Sequence, residues 1–111
     1  MCVLSFRFYV DSMAESDCQK VILKIENTIA VSSNKKSVTI EKYWKIENYL
    51  EVSLEYDFYK MKLDDFILLT EKFSKKWEFE QIGDEKLAIW YQDIGSQINL
   101  PNVRWMLVTL S

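Results

Sequence analysis

Hydrophobic and polar positions alternate along much of this chain, and elsewhere the apolar residues recur every three to four positions. Alternation marks a strand buried on one face, and the longer spacing marks an amphipathic helix. From Cys2 to Val10, Leu4, Phe6, Phe8 and Val10 alternate with Val3, Ser5, Arg7 and Tyr9. This predicts a first strand with one apolar and one mixed face, and a domain that opens on a strand at residue 2 is expected to hold that strand inside the sheet. Asp11 to Ala30 predicts a helix. Ser12-x-x-Glu15 and Ser16-x-x-Gln19 both have the form of a capping box, so its start falls at either serine. Cys18, Val21, Ile22, Ile25 and Ile29 then form one apolar stripe. The polar run from Ser32 to Lys36 follows as a surface loop.

The stretch from Tyr43 to Tyr59 organises the middle of the chain. Ser37 to Ile46 predicts a strand, Glu47–Asn48 a turn (with a shorter loop nearer Lys45 as the alternative), and the residues up to Tyr59 a second strand. Along it, Ile46, Asn48, Leu50, Val52, Leu54, Tyr56 and Phe58 share one parity. Glu47, Tyr49, Glu51, Ser53, Glu55, Asp57 and Tyr59 share the other. Strand side chains point to alternate faces, so the first set is expected inside and the second in water. The outer set is an acidic, tyrosine-lined ribbon with no positive charge between Glu47 and Asp57.

Leu63 to Trp77 predicts a second helix, with Leu63, Phe66, Ile67, Thr70, Phe73 and Trp77 as its buried stripe. Asp64 and Asp65 fall in its first turn, and Lys72, Lys75 and Lys76 in its last, a distribution that suits the helix dipole. Trp77 to Ile82 and Glu85 to Gln92 predict a hairpin around Gly83-Asp84, a type II′ turn with glycine first. A loop over 93–102 leads to a last strand, Val103 to Leu110. That strand is apolar on both parities, which predicts a central position covered on both faces. The order β-α-β-β-α-β-β-β predicts a single α+β domain over residues 1–111, a mainly antiparallel sheet of about six strands with two helices on one face.

Composition narrows the function classes. The length of 111 residues suits one core, and 49% hydrophobic with 28% charged residues suits a folded globule. With a net charge of −3 and no basic cluster, the chain is not expected to bind nucleic acid, whose phosphates need Lys and Arg. There is no histidine, which removes the commonest general base and zinc ligand. Cys2 and Cys18 lack CxxC spacing and are expected as reduced thiols. Two glycines cannot build a phosphate-binding loop. No catalytic residue, cofactor or metal is therefore expected. The N-terminus lacks the basic start and long apolar run of a signal peptide, and no tract approaches the ~20 residues of a membrane span. A cytoplasmic protein without membrane contact is expected. Trp44, Trp77, Trp90 and Trp105 lie in or beside strands and are expected in the core or half-buried.

The ribbon remains as the candidate site: Glu47, Tyr49, Glu51, Glu55, Asp57 and Tyr59 as partner-binding residues. An acidic strand face is commonly just a solvated one, but tyrosines supply rigid contact area and carboxylates supply paired charge, which suits a basic partner. As a whole, and in this ribbon, the chain resembles the small acidic immunity proteins of bacterial polymorphic toxin systems, including contact-dependent growth inhibition. The resemblance implies a cytoplasmic inhibitor, monomeric in a heterodimeric complex with a basic, nuclease-type toxin domain whose Lys and Arg meet carboxylates in place of phosphates. Two other classes fit the composition: a small-molecule binder or carboxylate-using enzyme, which requires inward-facing acids, and a subunit or adaptor domain.

Overall fold

A computed structural model describes residues 2–29, 34–58, 60–92 and 96–111. The elements follow in the expected order: β1 (Cys2–Val10), α1 (Glu15–Ile29), β2 (Asn34–Lys42), β3 (Leu50–Phe58), α2 (Leu63–Glu71), β4 (Glu78–Ile82), β5 (Glu85–Tyr91) and β6 (Val103–Leu110). The six strands form one sheet in the order β2-β3-β1-β6-β5-β4, with every neighbouring pair antiparallel. The first strand lies inside the sheet, between β3 and β6, the interior position expected for it.

One face of this sheet is the core. Leu4, Phe6, Phe8 and Val10 of β1, Leu50, Val52, Leu54 and Tyr56 of β3, and Val103, Met106, Val108 and Leu110 of β6 are buried with the apolar stripes of both helices. All five residues of the α1 stripe are buried as predicted. Edge-on ring contacts tie the layers: Phe6 meets Phe73 beyond the end of α2 at 6.1 Å, and Phe66 of α2 meets Phe79 of β4 at 6.5 Å.

Several boundaries differ from the sequence expectation, each for a local reason. The helix α1 begins at Glu15, later than the Asp11 start. Neither serine closes a capping box: the Ser12 hydroxyl accepts the Ala14 N–H and donates to the Asp17 carboxylate, making a turn ahead of the helix. Ala30 lies outside the described residues. The helix α2 ends at Glu71, so Lys72, Lys75 and Lys76 lie beyond its last turn. Trp77 ends the segment rather than continuing the helix, its indole N–H donating to the carbonyls of Thr70 at 2.8 Å and Ser74 at 2.9 Å. The Thr70 carbonyl also accepts the Phe73 and Ser74 N–H groups, so the indole chiefly supplies the Ser74 carbonyl beyond the helix end. Leu63 is largely exposed, while Leu69 joins Phe66, Thr70 and Phe73 in the core.

The predicted strand over Ser37–Ile46 stops at Lys42, and residues 43–49 form a loop closed by the Tyr43 N–H on the Tyr49 carbonyl at 2.9 Å. Asn48 takes the left-handed conformation there, φ 65°, which asparagine tolerates better than most residues. The loop carries Trp44 into solvent at 82% exposure, against the expectation of a core or half-core tryptophan. The others follow it: Trp90 is buried, Trp77 and Trp105 half-buried. The Gly83 turn has positive φ at glycine and not at Asp84, the type II′ pattern.

Candidate functional site: the open face of the sheet

Among the described residues, no helix lies on the second face of the sheet, and none of the strand side chains on it is buried. The antiparallel register sets it out in rows across the strands. One row runs Glu41, Glu51, Tyr9, Trp105, Tyr91 from β2 to β5. The next runs Thr39, Ser53, Arg7, Leu107, Ile89 and ends at Glu78 of β4. A third runs Ser37, Glu55, Ser5, Thr109, Leu87 to Glu80. Asp57 lies opposite Val3 in the row beyond. The face is thus divided along its strands. The β2–β3 side is acidic and hydroxyl-lined, and the β5–β6 side is apolar, with Trp105, Leu107, Ile89 and Leu87 half-buried.

The division corrects the reading of the last strand. The strand β6 is central, but only its Met106 side is covered, and its second apolar parity faces outward. Continuous apolarity here belongs to a patch left open, and contiguous exposed apolar surface marks an interaction site more often than a defect.

Three rings join the two sides. Tyr9 stacks on Tyr43 with centroids 4.1 Å apart and on Trp105 at 4.7 Å, both near parallel. Both ring faces of Tyr9 are therefore occupied within the protein. Burial, and after it hydrogen bonding to Tyr43, pushes the Tyr9 hydroxyl up to about 12. Beside the stack, Arg7 donates from Nε to Glu51 Oε1 at 2.9 Å. Arg7 lies directly opposite Ser53, so its side chain leans diagonally to reach Glu51. Among the described residues, no cation pairs with Glu55 or Asp57.

Of the predicted site residues, Glu51, Glu55 and Asp57 share this face at alternate positions of β3. Glu47 and Tyr49 sit in the 43–49 loop rather than on a strand, Glu47 exposed and Tyr49 half-buried. Tyr59 lies outside the described residues. Sequence reasoning about the ribbon alone missed Tyr9, Arg7, Trp105 and Leu107. Their outward parity is visible in the first and last strands, but pairing those strands beside the acidic one requires the sheet order. Among the described residues, no group of three or more His, Cys, Asp or Glu side chains is placed to hold a metal ion, and no helix is long and apolar enough to cross a membrane. A cavity of about 530 Å³ beyond the end of α2 is rimmed by Lys72, Lys75 and Lys76 and includes none of the predicted site residues. Comparison with known protein families, with curated proteins and with solved structures finds no match.

Proposed function

We propose that this protein is a binding protein that holds a basic protein partner against its open sheet face, in the manner of an immunity protein neutralising a nuclease-type toxin. The observation that carries the reading is the uncovered face itself, on which an apolar half lies one strand away from carboxylates that have no cationic partner among the described residues. An interface needs a desolvated apolar centre for slow dissociation and complementary charge for fast, selective encounter. Trp105, Leu107 and Ile89 supply the first; Glu55, Asp57 and Glu41 supply the second. The inhibitor is monomeric until it meets its target, and no residue of it takes a catalytic part.

The stack argues for a protein partner over a nucleic acid. A platform for unpaired bases offers free ring faces beside Lys and Arg. Here the central ring has both faces covered, and the cation beside it, Arg7, is paired with Glu51.

The test is capture of the partner from a lysate of the producing cell, followed by affinity measurements with Trp105→Ala and with Glu55→Lys/Asp57→Lys. A basic protein whose binding weakens about 30-fold or more with Trp105→Ala, the size of an interface hot spot, and whose association slows with the charge reversal and with added salt, is the expected result. A partner indifferent to both variants places the interface elsewhere and removes this reading.

A further inference from the structure

The open face contains a depression at the acidic side, and its lining selects what enters it. A cavity of about 210 Å³ lies between β3, β1 and β6, bordered by Ser5, Arg7, Ser53, Glu55, Leu107 and Thr109. It exists because the register sets small residues around Glu55: Ser5 and Ser37 lie directly opposite it on the two flanking strands. Arg7 would fill the space from β1, but its guanidinium is drawn away to Glu51, which leaves the Ser5 side of Ser53 open. We infer that this depression receives a single lysine or arginine side chain of the partner, with its charged head on the Glu55 carboxylate. The inference rests on the partner-binding reading above and adds the side chain that the face recognises.

The chemistry of the lining excludes the other occupants. An anion finds no free cation, since Arg7 is already paired with Glu51. A wholly apolar side chain would desolvate the Glu55 carboxylate and three hydroxyls without replacing their hydrogen bonds. A cationic side chain suits the carboxylate, the hydroxyls and Leu107 of the lining. Its aliphatic stem lies along Leu107, arriving from the apolar side of the face, while its N–H donors reach Glu55 and the Ser5 and Ser53 hydroxyls as acceptors.

The test is selection of displayed random peptides on the immobilised full-length protein at moderate salt. Enriched peptides are expected to share one Lys or Arg beside an aliphatic or aromatic residue. Their binding should fall tenfold or more on alanine replacement of that cation, on Glu55→Gln, and on Ser5→Val, which fills the depression without altering charge. Circular dichroism establishes that each variant folds, and Glu55→Gln carries the test if Ser5→Val does not fold. Exchanging the shared Lys and Arg in the peptide tells which head group the site prefers. Peptides that lose binding with Trp105→Ala but ignore Glu55→Gln and Ser5→Val overturn the cation pocket and leave the partner-binding face standing. Peptides that ignore Trp105→Ala as well, or a selection that enriches none, overturn both.

Discussion

Met106 and Leu107 are adjacent on β6 and point to opposite faces of the sheet, Met106 fully buried in the core and Leu107 half-buried on the open face. If that second face is uncovered, substitutions that remove apolar side chain at the two positions differ sharply in cost. Met106→Ala removes buried methylene and thioether volume and leaves a cavity beneath the helices, for a loss of about 2–5 kcal/mol. Full burial of a leucine contributes roughly 1.5–3 kcal/mol. Leu107 keeps part of its side chain in water after folding, so Leu107→Thr loses a fraction of this, about 1 kcal/mol. Threonine, unlike leucine, is branched at Cβ, which strands favour, so backbone preference adds nothing to the cost. Urea unfolding followed by tryptophan fluorescence reads both variants as shifts of midpoint at unchanged slope. For a domain with a total stability of about 5–15 kcal/mol, the two shifts are easily separated. A cost for Leu107→Thr equal to that of Met106→Ala would refute the reasoning, because the open face would then be covered in the free protein. A cost that grows with protein concentration would identify the cover as a second copy of the chain.

Two further outcomes are expected. The Tyr9 hydroxyl is raised from 10.0 to about 12 by burial and by Tyr43, and burial raises Tyr56 as well. A raised folded-state value means that the unfolded chain releases its proton first, so this contribution to stability is present in full below about pH 10 and is lost as pH climbs through about 12. Tyrosinate absorbance measured alongside alkaline unfolding should show Tyr9→Phe removing its share of that decline; a decline identical to that of the unaltered protein would sink the assignment. At the end of α2, Trp77→Phe deletes the donor shared by the Thr70 and Ser74 carbonyls and should lower stability by about 1–2 kcal/mol in thermal unfolding. An unchanged melting temperature would mean that water satisfies those carbonyls equally well.

Local pattern determined much of this protein. The element order, the α+β class, the buried parity of β1 and β3 and the α1 stripe all follow from periodicity, because burial on one face imposes a repeat of two on a strand and of three to four on a helix. The outward direction of Glu51, Glu55 and Asp57 was legible for the same reason. Element ends were less so. Where Lys72 leaves the helix or Tyr43 leaves the strand depends on Trp77 folding back onto two carbonyls and on Tyr43 stacking against Tyr9, contacts between residues that periodicity cannot join.

Only the tertiary structure decided what lies beside the acidic strand and what covers the sheet. Strand order brings Arg7 and Tyr9 of β1, and beyond them Trp105 and Leu107 of β6, onto the face of Glu51 and Glu55, from positions far apart in the chain. Apolarity on both parities of β6 says that both faces avoid polar side chains, and it is silent on what meets them. Two helices cover one face and none covers the other, so residues that read as core from the sequence stand open at the surface, next to unpaired carboxylates.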